Sequence, residues 1–396
     1  MAQIERTRKL PLDDPRELER LIVERRLSRR RFLGAAALGT ASAVLAACAP
    51  AGSSSAPSAS GVSGGAGGAD LGDTLNLATW PNYHDPDVIK AFTDRTKVNV
   101  NVQVFGSTEE MEAKLRAGNS GIDVVVPSNY AVQGWVKDKL IEPLDYRRLP
   151  SFVRGDWNDL FMDQAFDPGN TFSLPKNWGT TGIAYRSSKV SDEISSWKQF
   201  FELAGTKYAG RGVIVDHQIS SIGSAAVALG YSFNAISEAE LAAIEKMLTA
   251  LKPKLYAISS DVQPPLRNLD SWLSIAWTGD GVQVSRDNED AHYVVAEDGG
   301  ELWIDSFTVA ADAPHKDAAY AFLDYITHPE NAAKETEFCL FPHANDKATA
   351  LLPAEIRDNQ VIYPSPDRLK KLEYASSETY NSPLRAETWA RIKASA

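Results

Sequence analysis

Ile122-Asp123-Val124-Val125-Val126, running into Pro127-Ser128-Asn129-Tyr130, is the stretch on which the fold turns. A β-branched apolar run of this kind suits a strand covered on both faces in a parallel sheet. The proline behind it ends the strand and leaves Ser128 and Tyr130 at its carboxyl end. Upstream, Leu75 to Trp80 alternates as a strand, and Trp80 and Tyr83 sit where Pro81-Asn82 breaks it. Asp87 to Thr96 carries Val88, Ile89 and Phe92 on one helical face, and Val98 to Phe105 alternates again. Ser107 with Glu110 reads as a capping box opening a helix that Gly118 closes. The order β-α-β-α-β predicts a parallel sheet with right-handed crossovers.

The same pattern recurs downstream. Gly212-Val213-Ile214-Val215-Asp216 is a second buried strand, and Ser237 with Glu240 opens a helix striped by Leu241, Ile244, Leu248 and Leu251. Ile275-Ala276-Trp277-Thr278-Gly279-Asp280 is a short strand that stops at a glycine and leaves an aromatic residue and a carboxylate at its end. Leu302-Trp303-Ile304-Asp305 repeats that arrangement. Open α/β sheets bind ligands outside the carboxyl ends of their strands. An aromatic face beside a carboxylate is what a ligand cation requires. Small and glycine residues around a short strand between Phe172 and Tyr185 suit a crossover between lobes. Helices are expected from Pro314, from Pro329 to Phe338, and over Tyr363 to Lys393 with turns at its prolines. The expected fold class is α/β, with two discontinuous lobes, residues 74–183 plus 301–345 and 184–300 plus 346–396, enclosing a hinged cleft.

Length and charge agree with this. A chain of 396 residues holds two lobes, and 43% hydrophobic with 23% charged residues is ordinary for a soluble globular protein. Ten basic and six acidic residues lie in the first 47, which leaves the remainder with 31 basic against 46 acidic. So acidic a body excludes nucleic-acid binding through its general field and favours cations weakly. Residues 1–47 resemble an export signal: Ser28-Arg29-Arg30-Arg31-Phe32-Leu33 is a twin-arginine pattern before an apolar run too short to span a bilayer. Leu45-Ala46-Ala47-Cys48 resembles a lipobox, with Cys48 the lipidated residue. Residues 48–73, rich in Gly, Ser and Ala, form a flexible tether. The implied location is the outer face of the cytoplasmic membrane, held there by the lipid.

Enzyme chemistry is poorly represented. H-E-x-x-H, C-x-x-C, G-x-S-x-G and phosphate-loop motifs are absent from the sequence, and no cofactor or metal is expected. Cys339, within Glu337-Phe338-Cys339-Leu340-Phe341, reads as an inert core thiol. Asp216-His217 with Ser220 or Ser221 is the one cluster that could furnish a nucleophile and base, so a secreted hydrolase stays as a remote alternative. Aromatic residues and hydroxyls at strand ends describe a binding cleft better than an active site.

In order and spacing, Thr79 to Tyr83, Asp123 to Tyr130, Trp178 to Ile183, Leu229 to Ser232, Trp277 to Asp280 and Gly299 to Phe307 resemble the polyamine-binding proteins of bacterial ABC importers. The resemblance implies a two-lobed Venus-flytrap fold of the type II periplasmic-binding-protein class. It implies cleft walls from Trp80, Tyr83, Ser128 and Tyr130, with Trp277 and Trp303 flanking methylenes and Asp280 and Asp305 pairing with ammonium groups. It also implies a monomer that hands its solute to permease subunits of an importer. Phe341 stands where the family usually has tyrosine. Beyond Val213-Ile214-Val215, where the family places carboxylates, this chain has His217 and Ser220, with Asp216 as a possible substitute. Putrescine or spermidine is the solute implied. An amino acid or a modified amine is the alternative that His217 and Ser220 leave open.

Overall fold

The computed structural model describes residues 70–395. The signal, Cys48 and nearly all of the tether lie outside the described residues. Among the described residues no helix is long and apolar enough to cross a membrane.

Eleven strands form one continuous sheet: β1 (Thr74–Thr79), β2 (Asn99–Val104), β3 (Val124–Val125), β4 (Ile141–Glu142), β5 (Leu174–Arg186), β6 (Gly212–Ile214), β7 (Leu255–Ile258), β8 (Leu273–Trp277), β9 (Ala291–Val294), β10 (Gly300–Ala310) and β11 (Leu372–Tyr374). The order along the main path is β2-β1-β3-β10-β5-β8-β6-β7. β1 pairs in parallel with β2 and β3, and β6 pairs in parallel with β7 and β8. Between these parallel flanks runs an antiparallel centre, β10 against β5, joined to β3 on one side and β8 on the other by antiparallel pairing. The carboxyl ends of β3 and β8 therefore meet the middle of the long central pair.

The local reasons follow the sequence. Leu75, Leu77, Val124 and Val125 are fully buried, and the helix Pro86–Thr96 buries Val88 and Phe92 beneath them. Each such side chain contributes about 1.5–3 kcal/mol of burial. Ser237 and Glu240 form the full capping box at the helix Glu238–Leu251. At the helix Thr108–Arg116 the box is partial. Ser107 accepts from the Glu110 amide, while the Glu110 carboxylate takes the Gly106 N–H rather than that of Ser107.

Three expectations need correction. The crossover is not a short strand. β5 runs for 13 residues with Pro175 inside it, and the β10 register shifts between Asp305 and Ser306, opposite that proline. A bulge there accommodates a residue that cannot donate to the ladder. Tyr363 to Lys393 is not continuously helical, because Leu372-Glu373-Tyr374 leaves the helical path to pair with Gly300-Glu301-Leu302 as β11. Nor does the tail from 346 to 396 follow one flank: the helix Asp346–Leu351 packs on Pro329–Cys339, Ser377–Tyr380 on Asn129–Lys137, and Pro383–Ala394 on Glu238–Leu251.

Candidate functional site

Asp305 lies in β10 and is 5% exposed. Its backbone bridges to Ser128, just past the end of β3. The Ser128 hydroxyl donates to Asp305 Oδ1 at 2.6 Å, and the Tyr83 hydroxyl donates to Oδ2 at 2.8 Å. Ser128 is the N-cap residue of the helix Asn129–Lys137 yet makes no cap bond, since its hydroxyl is turned to the carboxylate instead. Such a cap is worth about 1 kcal/mol, so the helix forgoes ordinary stabilisation here. Burial pushes the Asp305 carboxyl up to about 6, against the two hydroxyls and the field of Lys176, which pull it down. Among the described residues, no Lys, Arg or His nitrogen reaches Asp305 within ion-pair distance.

Lys176 stands behind this site rather than in it. Its ammonium lies 4.1 Å from the centre of the Tyr83 ring and bonds the Tyr83 carbonyl. Its charge partner is Glu335 at 3.5 Å, which also holds His84 Nδ1 at 2.6 Å and the Asp85 amide.

Trp303, two residues before Asp305, makes a T-shaped contact with Phe341 with ring centres 5.3 Å apart, and the centre of the Phe341 ring lies 5.5 Å from that of Tyr83. Two glycines make room for these rings. A β-carbon on Gly179 would stand 2.4 Å from Trp303 Cζ2, and one on Gly279 would stand 2.6 Å from the Phe341 ring. Tyr83, Ser128, Trp303, Asp305 and Phe341 are thus one contiguous, covered group.

A second group gathers at the ends of β6 and β8. His217, N-cap of the helix Gln218–Ala228, places Nε2 3.1 Å from the Tyr130 hydroxyl and Nδ1 3.1 Å from Ser220 Oγ. Its ring meets Trp277 edge-on at 5.9 Å. Tyr130 also touches the Thr108 hydroxyl at 3.1 Å. Asp280, in the first turn of the helix Thr278–Asp287, is half-buried and accepts from the Gln263 amide. Burial pushes its carboxyl up to about 6, opposed by that amide. Trp80 is half-buried against the core, and its indole Nε1, like that of Trp303, is buried with no hydrogen-bond partner among the described residues.

Asp216 does not join either group. Its carboxylate is exposed and faces the carboxy-terminal helix, accepting from Trp389 Nε1 at 3.2 Å and pairing with Lys393 at 2.9 Å. This also removes the hydrolase alternative. Among the described residues His217 has no carboxylate to orient it, and the buried Ser220 hydroxyl donates to Glu301 Oε2 at 2.8 Å instead of standing free as a nucleophile. Cys339 is fully buried, and burial pushes its thiol up to about 11.

Glu301 is the residue that sequence reading missed. It is 1% exposed and accepts from Ser220 and, at 2.5 Å, from the Thr181 hydroxyl. The charge expected to be lacking near Ser220 is present, carried in by β10. Its signal was the two-residue period of a strand: Glu301, Trp303 and Asp305 alternate onto one face.

The profile of the bacterial extracellular solute-binding protein family matches residues 87–360. A putrescine-binding periplasmic protein of Pseudomonas aeruginosa is 32% identical over 337 residues, covering 81% of this chain and 91% of that protein. The spermidine/putrescine ABC transporter substrate-binding protein of Streptococcus pneumoniae has a similar structure, with a TM-score of 0.69 and 27% identity over 82% of this chain and 99% of that one. A lipoprotein of Treponema pallidum superposes with a TM-score of 0.71 at 25% identity, over 81% of this chain and 99% of its own.

Proposed function

Because this chain belongs to the bacterial extracellular solute-binding protein family, a family of binding proteins and not of enzymes, we propose that its solute is a small polyamine such as putrescine or spermidine. One observation carries this reading. Asp305 is a covered carboxylate with hydroxyls from Ser128 and Tyr83 on its oxygens, an indole two residues away on its strand and, among the described residues, no cation in contact. A buried anion is costly unless it is paired, and an ammonium group is the natural partner. Trp277, Trp303 and Phe341 offer apolar faces to the methylenes between nitrogens, and Asp280 offers a second carboxylate.

On this reading the two parallel flanks of the sheet are the lobes, the central β5–β10 pair joins them, and the protein works as a monomer beside an importer's permease subunits. The twin-arginine pattern and Cys48 make it a lipid-anchored protein on the outer face of the cytoplasmic membrane, a reading supported by the lipoprotein among its structural relatives.

Titration calorimetry with putrescine and spermidine tests the proposal. Heat with a dissociation constant in the micromolar range or below is expected from at least one of them. A folded protein silent to both at millimolar concentration overturns the polyamine assignment. A second reading, an amine that also bears acceptor oxygens, is favoured by the buried Nε1 groups of Trp80 and Trp303, because buried donors normally find acceptors. A thermal-shift comparison of amines with amino acids separates the two.

A further inference from the structure

Glu301 is almost completely buried, and the only hydrogen bonds it receives from the described residues, those of Thr181 and Ser220, both fall on Oε2. Among the described residues no cation lies within 4.0 Å of it. The cation that feels its charge is Arg385, whose guanidinium is held by the carbonyls of Phe233, Ala235 and Ile219. The two groups feel each other, since burial lowers the Arg385 pKa to about 10 and the Glu301 charge opposes that lowering. They do not touch. Oε1 thus has neither a neutral donor nor a charged one from the described chain, whereas both oxygens of Asp305 have hydroxyl partners.

Position says what belongs there. Glu301, Trp303 and Asp305 occupy alternate places on β10, so their side chains leave the same face of the sheet. Trp303 stands between the two acids. On the neighbouring strand, Thr181 pairs with Trp277 across the β5–β8 ladder while its hydroxyl holds Glu301. The far side of Glu301 is closed by Ser220, whose hydroxyl also meets His217, and the His217 ring meets Trp277. The result is an anion at each end of a row with an indole in the middle. Four strand residues span about 13 Å, a separation suited to a flexible chain with a nitrogen near each end.

We propose that Glu301 is a specificity-determining residue of the cleft, receiving through Oε1 the second nitrogen of a polyamine whose first nitrogen is held by Asp305. This deepens the polyamine reading above and rests on it. Ser220 and Thr181 are positioning residues. By bonding Oε2 they fix the carboxylate's rotation and leave the other oxygen for the ligand. Serine at 220 is then part of the recognition device, because a larger acidic side chain there would crowd and repel Glu301.

The test titrates the wild type, Glu301→Gln and Glu301→Asp with spermidine, putrescine and n-butylamine, the last having one nitrogen only. Glutamine preserves the shape and the acceptor for Ser220 and Thr181. Aspartate keeps the charge but shortens its reach by one methylene. The expected result is at least a tenfold loss of affinity for the tighter-binding polyamine in Glu301→Gln and a smaller loss in Glu301→Asp, with n-butylamine unchanged in both. A merely structural role would weaken all three amines alike, and that outcome overturns the assignment. So does polyamine affinity equal to wild type in both variants. Should Glu301→Gln fail to fold, the Glu301→Asp comparison of polyamine with n-butylamine decides alone. A wild type silent to every amine overturns the polyamine reading itself, whereas a wild type that binds while the variants do not discriminate overturns only the role of Glu301.

Discussion

The Tyr83 hydroxyl donates to Asp305 Oδ2 across 2.8 Å, tying the loop after β1 to β10, 222 residues later in the chain. With Ser128 on the other oxygen, it holds the carboxylate in one orientation. Truncating one partner of a desolvated charge pair typically costs 2–5 kcal/mol. Asp305→Asn is therefore expected to weaken polyamine binding by about thirtyfold or more while thermal unfolding of the ligand-free protein changes little. Calorimetry on the purified variant measures this, and an affinity within threefold of wild type means a different acid holds the ligand.

Acid should release the ligand. An ammonium pairs with ionised carboxylates, and burial holds both Asp305 and Asp280 near 6 in the ligand-free protein. Between pH 7.5 and pH 5 the dissociation constant is expected to rise by about tenfold if one of them contacts the ligand and about a hundredfold if both do. The stability of the ligand-free protein moves the opposite way. These carboxylates have higher pKa values folded than unfolded, so between about pH 6 and pH 4 the native state holds more protons, and their contribution to stability grows as pH falls through that window. Affinity profiles at several pH values check the first, and urea unfolding of the ligand-free protein checks the second. A flat affinity profile rules out a titrating acid in contact with the ligand.

Gly179→Ala should disturb the site through Trp303. Its β-carbon would stand 2.4 Å from the indole, where an interior atom cannot sit. The ring must shift or the strands must part, at about 1–3 kcal/mol. A lowered urea midpoint together with weaker binding is expected, with a change in tryptophan fluorescence as the direct sign that the indole has moved. An unchanged spectrum and affinity would mean the ring has more room than its neighbours indicate.

Asp216→Asn is expected to leave affinity within about twofold of wild type. The side chain faces Trp389 and Lys393, and an exposed ion pair of this kind contributes at most about 1 kcal/mol to stability. A tenfold loss of affinity would bring Asp216 back into the cleft.

Much of the sheet was legible because each parallel flank announces itself through apolar runs such as Val124-Val125-Val126 and Val213-Ile214-Val215 with helical stripes between them. Trp303 and Asp305 were legible for the same reason: an aromatic residue and an acid spaced by two share a strand face. Glu301 obeys that spacing too, yet it sits beside two glycines at the very start of β10, where a carboxylate reads as a solvated turn residue. Only the long-range approach of Ser220 and Thr181 covers it. Asp216 failed for the opposite reason, since adjacency to His217 along the chain says nothing about where the last helix docks. β11 was hidden because three residues between prolines carry too little pattern to outweigh a helical reading. Its partner, the start of β10, lies some seventy positions earlier.

If Glu301 and Asp305 hold the two ends of a polyamine as proposed, their placement with Trp303 on one strand has a consequence for how cargo is measured. Their spacing is set by the rise of a single main chain, so it stays constant however widely the two flanks of the sheet gape. β10 is in effect a ruler with a charge mark at either end. A passenger held as proposed would be gauged for length against it before the flanks shut, and closing would then supply grip and dryness to a choice already made.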